Sequence, residues 1–238
     1  MQGLYPVIKP IKDAVNLSEL KQEVEYEYAQ LLAKAKPLKG NLYIIPHDAL
    51  SINEPTPSIL SMHCIVAMMI KVRMGLIVTK DALKSVAQGT VIHRRYEEWF
   101  RNVNRHLTVY TEMRLTSDET VGVPDIVYCS QDECGLIELK ATWQVNDARE
   151  SAYIRQMAMY YDMLKDFNIT ESYLVTMNDV KLIPVRMLKE HVKEAKEILN
   201  AVKGNYPQYP PDARLCVNCS LKPVCPPYRN LADKLLFG

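Results

Sequence analysis

The sequence predicts an α/β protein in which helices pack on a short mixed sheet. Three observations predict it. The order of segments is helix, strands, helix, strands, helix, the pattern of a sheet covered by helices. Two strand-like runs, PDIVYC at 124–129 and CGLIELK at 134–140, flank the polar turn 130–133, which reads as a hairpin with a four-residue loop. Residues 80–104 and 147–167 have the composition of long helices, the second with apolar residues at helical spacing.

In chain order, residues 16–36 form a helix with Asn16 and Glu19 as a capping box. Residues 38–45 are a weak strand and 51–57 a loop. Residues 58–71 are mostly apolar with helical character. The helix at 80–104 starts near Asp81, and 107–115 is strand-like and leads into the hairpin. A second hairpin pairs 172–177 with 180–185 around Asn178-Asp179. The helix 187–203 is stopped by Gly204 at its C′ position. A proline-rich connector, 206–212, precedes a cysteine-bearing tail. The organisation expected is 1–79, a helical region; 80–204, the α/β core; and 205–238, a cysteine-rich tail.

Composition sets outer bounds. The chain has 238 residues, 48% of them hydrophobic and 24% charged, the balance of a soluble globular protein. No apolar run reaches spanning length and the first residues lack a signal-peptide core, so the expectation is a cytoplasmic protein without membrane attachment. Net charge is +1, so any nucleic-acid groove is a local patch. Candidate patches are Lys71/Arg73, Arg94/Arg95, Arg101/Arg105 and Lys181/Arg186.

The chemistry concentrates on the central hairpin. Symmetric folding about its loop sets Cys129 against Cys134, Val127 against Leu136, and Asp125 against Glu138, with Lys140 on the face of Glu138. Two carboxylates facing each other repel. A divalent cation between them resolves that, and hard oxygen donors suit Mg²⁺ or Mn²⁺. Such a site hydrolyses phosphodiesters, with the lysine orienting water and stabilising transition-state charge. Alone, a PD…ExK pattern arises often by chance. His93, on the preceding helix, is a reasonable third metal ligand. Gln156 and Tyr160, four apart on the next helix, share one face.

The order GxxxH (Gly89 to His93), PD (Pro124-Asp125), ExK (Glu138 to Lys140) and QxxxY (Gln156 to Tyr160) resembles the RecB-like branch of the PD-(D/E)xK nucleases. The resemblance implies that His93, Asp125 and Glu138 bind metal, joined by the backbone carbonyl of Leu139. It makes Lys140 the assistant of the attack and Gln156 and Tyr160 supporting residues. Glu112 is a further candidate for the acidic cluster.

Six cysteines are present. Cys216, Cys219 and Cys225 can wrap a metal centre that needs a fourth thiolate, for which Cys64 is the best donor. One upstream and three downstream cysteines resemble the iron–sulfur members of that branch, most of all the CRISPR-associated RecB-like exonucleases. That resemblance implies a [4Fe–4S] cluster on Cys64, Cys216, Cys219 and Cys225. In those relatives a basic residue often follows the first cysteine, where this chain has Ile65-Val66. Zinc and [2Fe–2S] stay open, although zinc sites more often pair two short Cys-x-x-Cys hooks. A cluster so held closes a loop of about 150 residues. For Cys129 and Cys134 the expectation is two buried thiols, a disulfide being the alternative that cross-strand register allows.

The resemblance therefore implies a metal-dependent exonuclease acting 5′→3′ on single-stranded DNA ends during CRISPR spacer acquisition, with integrase proteins as partners and homo-oligomers possible. The alternatives are a repair or helicase-associated nuclease outside CRISPR, and an adaptor that binds the integrase complex.

Overall fold

The computed structural model describes residues 5–38, 41–46, 56–62, 64–117, 120–203, 221 and 225. The mixed α/β architecture is present. Five strands make the main sheet: β4 (Thr108–Thr111), β7 (Ile126–Ser130), β8 (Glu133–Lys140), β9 (Ile169–Thr176) and β10 (Val180–Leu182), in the order β10-β9-β8-β7-β4. All pairs are antiparallel except β8 with β9. That parallel pair needs a crossover, supplied by helix α5 (Asp147–Met163). Asn146 caps α5, its side chain accepting from the Arg149 amide at 2.9 Å.

Helices cover both faces. Val91, Ile92, Tyr96 and Phe100 of α4 (Lys80–Val103) pack with Ile126, Tyr128, Ile137 and Leu139. On the other face Val127, Leu136 and Leu174 meet Ile154, Met157 and Ala158 of α5, and Leu188 of α6 (Val185–Lys203). Burial on both faces explains why β8 reads as a near-continuous apolar run rather than an alternating one. Each fully buried aliphatic side chain contributes about 1.5–3 kcal/mol.

The remaining strands form smaller units. β1 (Lys36–Pro37), β2 (Leu42–Ile45) and β3 (Leu76–Thr79) make an antiparallel sheet, and β5 (Leu115–Thr116) pairs with β6 (Val121–Gly122). β3 follows α3 (Ile65–Met74) through Gly75, whose φ of 108° places it in the left-handed region. A Cβ there would lie 2.1 Å from the Ile45 carbonyl oxygen, so only glycine makes this turn.

Several sequence-level boundaries are corrected. The helix expected at 16–36 is α2, Lys21–Lys34, preceded by α1 (Ile11–Ala14) and a 3₁₀ turn, Leu17–Glu19. Asn16 caps that turn, not α2. The apolar stretch 58–71 splits into a 3₁₀ segment, Pro57–Ser61, and α3. The central hairpin turns on two residues, Gln131 and Asp132, not four, because Ser130 and Glu133 still pair. Gln131 takes the positive φ of 56° that such tight turns demand. In the second hairpin the return strand stops at Leu182 and α6 begins at Val185, since Pro184 cannot donate to a ladder. Cys129 and Cys134, expected as thiols, are joined by a disulfide; their Cα atoms are 4.1 Å apart in directly opposed positions. Among the described residues no helix is long and apolar enough to cross a membrane.

Candidate active site

The β7–β8 ladder ends at Ile126 and Ile137, so Asp125 stands just past its last pair. Freed from the ladder, the carboxylate turns to two donors. Oδ2 accepts the Leu139 amide at 2.7 Å, and Oδ1 lies 3.1 Å from His93 Nδ1. His93 reaches it from α4, capped at its start by Thr79. The expected facing of Asp125 and Glu138 thus falls one position beyond the hydrogen-bonded register.

Glu138 and Lys140 share a face of β8, as period-2 alternation requires. Lys140 Nζ donates to Glu138 Oε1 at 2.6 Å and to Gln156 Oε1 at 2.9 Å. It also sits 4.8 Å from the centroid of the Tyr153 ring. Gln156 Nε2 in turn donates to the Tyr160 hydroxyl at 3.3 Å. Tyr160 is wedged: a Cβ on Gly122 would lie 2.8 Å from its Cε1, with the Pro57 ring at 3.0 Å. The residues of all four motifs therefore converge. Leu139 contributes its amide here, while its side chain is core.

The charges constrain one another. Burial pushes the Glu138 carboxyl up to about 7; Lys140 opposes this and Asp125 adds to it. Burial also raises Asp125, but His93, Lys140 and the Leu139 amide outweigh it and hold that carboxyl below the ordinary range. His93 is depressed by burial, then raised overall by Asp125. Lys140 is likewise opposed by burial and raised overall by Glu138 and Asp125. Burial, then the two carboxylates, lifts the Tyr160 hydroxyl.

A cleft of about 230 Å³ opens beside this network, lined by His93, Glu97, Glu112, Val123, Pro124 and Asp125. Glu112 has a φ of 55°. Glu97, one turn after His93, is pushed up to about 7 by burial, then by Asp125, with His93 opposing and Glu112 adding. A larger cavity, about 400 Å³, lies at the turn end of the hairpin, and none of the motif residues lines it.

Most of the basic patches are spoken for. Arg94 pairs with Glu27, Arg95 with Glu23 and Glu98, Lys181 with Glu150, and Arg186 with Glu190. Arg101 donates to Thr111. Lys71 differs. It is half-buried, has no carboxylate partner among the described residues, and is depressed by burial and then by Lys140. Sequence reasoning proposed it only as a patch member. Glu97 and Tyr153 were missed altogether; their only signal is helical offset, four from His93 and three from Gln156.

Two carboxylates and an imidazole are suitable donors for Mg²⁺ or Mn²⁺. Among the described residues no three His, Cys, Asp or Glu side chains stand in a ready metal-binding arrangement. Several of the site's polar atoms instead satisfy each other. Glu138 Oε2 is the exception: it is buried without a hydrogen-bond partner among the described residues, a state that costs free energy unless something fills it. Of the four cysteines expected to hold a cluster, Cys216 and Cys219 lie outside the described residues. Cys64, just before α3, and Cys225 pack against one apolar cluster that includes Val66, Ile70 and Leu221.

No protein-family model matches the sequence, and no curated protein matches it. Chains of solved structures do match, 19 in all. One, described as the crystal structure of SSO0001, is 13% identical and covers 88% of this chain and 96% of its own, with a TM-score of 0.52. At that identity the likeness speaks to the α/β fold alone.

Proposed function

We propose that this chain is a divalent-metal-dependent DNA exonuclease with a PD-(D/E)xK core. The observation that carries the reading is the unpartnered, buried Glu138 Oε2, set beside the Lys140 ammonium and across from Asp125. Asp125, Glu138 and His93 are the residues that would hold the ion, which when bound polarises the scissile phosphate and acidifies the attacking water. Lys140, fixed by Glu138 and Gln156, faces the developing negative charge and orients that water. Gln156 and Tyr160 hold the ammonium in place. Lys71 adds a second amine, without a carboxylate partner among the described residues, which suits an anionic substrate.

The sequence resemblance supplies the rest of the reading. It gives 5′→3′ action on single-stranded ends in CRISPR spacer acquisition, and a [4Fe–4S] cluster on Cys64, Cys216, Cys219 and Cys225. The shared apolar seat of Cys64 and Cys225 supports that grouping.

The test is digestion of single-stranded oligonucleotides, labelled at either end, with Mn²⁺ or Mg²⁺. Parent protein should shorten them; Asp125→Ala and Glu138→Ala should not, while melting as cooperatively as the parent. Full activity in either variant would remove the assignment.

A further inference from the structure

Trp143 lies three residues after Lys140 and is 56% exposed. Such a ring presents a flat, rigid aromatic face to solvent, the kind of surface on which unpaired bases stack. The segment that carries it is not loose. Thr142 donates its amide to the Lys140 carbonyl at 2.7 Å, and its own carbonyl accepts the Met177 amide at 3.1 Å. Asn178 Nδ2 donates to the Trp143 carbonyl at 3.1 Å, and Thr142 Oγ1 to the Gln144 carbonyl at 3.1 Å. These bonds hold the segment at the carboxyl ends of the parallel strands β8 and β9, where α/β sheets bind ligands.

Two further observations bear on the partner. Three residues span at most about 10 Å of backbone, so Trp143 is carried close to Lys140 in the chain and at the same end of the sheet. Arg149, exposed on the first turn of α5, has no carboxylate partner among the described residues.

We infer that Trp143 is a stacking platform for an unpaired nucleobase next to the scissile phosphate. This rests on the nuclease reading and adds to it a determinant of substrate class. A base inside a duplex has both faces covered, whereas a base in a single strand offers one to an aromatic side chain, whatever its identity. The metal-and-lysine centre addresses only the backbone, and a base contact of this kind adds a preference for single strands.

The test uses the full chain in EDTA, with an oligothymidylate and an abasic oligomer of equal length and charge. Binding is read by anisotropy of the labelled strand, and by emission of the two tryptophans. Trp99 is partly buried against the α4 face of the sheet. The parent should bind the oligothymidylate about tenfold or more tighter than the abasic strand, with quenching. Trp143→Ala should reduce oligothymidylate binding to the abasic level, leave abasic binding unchanged, and abolish the quench. Trp143→Phe should retain most of the affinity. If Trp143→Ala matches the parent on both strands, or weakens both equally, the stacking role is overturned while cleavage by the parent keeps the nuclease reading. A parent that neither binds nor cuts either strand overturns both.

Discussion

Gln156 Oε1 accepts a hydrogen bond from Lys140 Nζ at 2.9 Å, so a side chain of α5 fixes the ammonium that β8 presents. Lys140→Met should reduce cleavage by about a hundred- to a thousandfold, since it removes a donor aimed at developing charge. Gln156→Ala should cost less, about ten- to a hundredfold, the range of a hydrogen bond to a charged group. The loss should fall on kcat with KM little changed, because the glutamine positions Lys140 rather than the substrate. Gln156→Glu, which keeps the acceptor, should recover part of it. Single-turnover rates at saturating oligonucleotide measure this; an unchanged kcat in Gln156→Ala would separate the helix from the chemistry.

Gly122 and Gly89 should respond in opposite directions to the same substitution. A Cβ on Gly122 meets the buried Tyr160 ring at 2.8 Å and Pro57 at 3.0 Å. Neither is a flexible tip, so Gly122→Ala should destabilise by about 1–3 kcal/mol, the range of overpacking, and disturb Tyr160. Gly89, inside α4, has nothing within 4 Å of such a Cβ. Gly89→Ala should stabilise by about 0.5–1 kcal/mol, because alanine loses less backbone entropy in a helix. Chemical denaturation of the two variants side by side checks both signs.

Glu97 should make stability depend on pH. Its carboxyl stands at about 7 against an ordinary 4.5, chiefly from burial and then Asp125. Between those values the folded chain binds more protons than the unfolded chain, so stability falls as pH rises through the window. Glu97→Gln removes the term. The variant should be about 1–2 kcal/mol more stable than the parent at pH 8, allowing for solvent screening. The two should converge by pH 4.5. Melting curves across that range should show Glu97→Gln about 2–6 °C higher at the alkaline end. An equal gap at every pH would point to packing instead.

The central hairpin, the shared face of Glu138 and Lys140, and the shared face of Gln156 and Tyr160 were legible because period-2 and helical spacing fix which side chains of one element lie together; that the four motifs belong together followed from the resemblance alone. The meeting of Gln156 with Lys140 depends on how α5 packs on the sheet, which no period within one element contains. The contact of His93 with Asp125 was not legible from periodicity, since it depends on how α4 crosses the sheet. β3 escaped notice because three apolar residues, Leu76 to Val78, after an apolar helix carry no period of their own. The hairpin turn was misjudged by two residues because Ser130 and Glu133 are polar in sequence yet still pair. Lys71, which has no carboxylate partner among the described residues, could not be told from its paired neighbours, since ion pairing between α2 and α4 is a tertiary fact.

Cys129 and Cys134 give a countable prediction. The chain has six cysteines and this pair is bonded. Protein unfolded without reductant, after any metal centre is stripped, should therefore show four reactive thiols, that is six less two. After reduction it should show six. The pair sits next to the hairpin's own two-residue turn, so the bond closes a short loop and its stabilising effect should be modest. Equal counts with and without reductant would mean two thiols.

The proposed cysteine-held cluster and the proposed Asp125–Glu138–Lys140 site should be separable by mutation. Cys64 precedes α3 and shares an apolar seat with Cys225, whereas Asp125 lies between β8 and α4. Anaerobically purified parent should carry about four irons and four sulfides per chain if a [4Fe–4S] cluster bridges the two ends. Cys64→Ala should lose the iron and melt at lower temperature, because α3 is then no longer tied to the C-terminal segment. Asp125→Asn should keep the iron in full while losing cleavage. Iron, sulfide and zinc measured on the same three samples decide it. One zinc per chain and no iron would leave the Asp125–Glu138–Lys140 site intact and replace the cluster by a zinc clasp. Iron retained in Cys64→Ala would remove Cys64 from the ligand set.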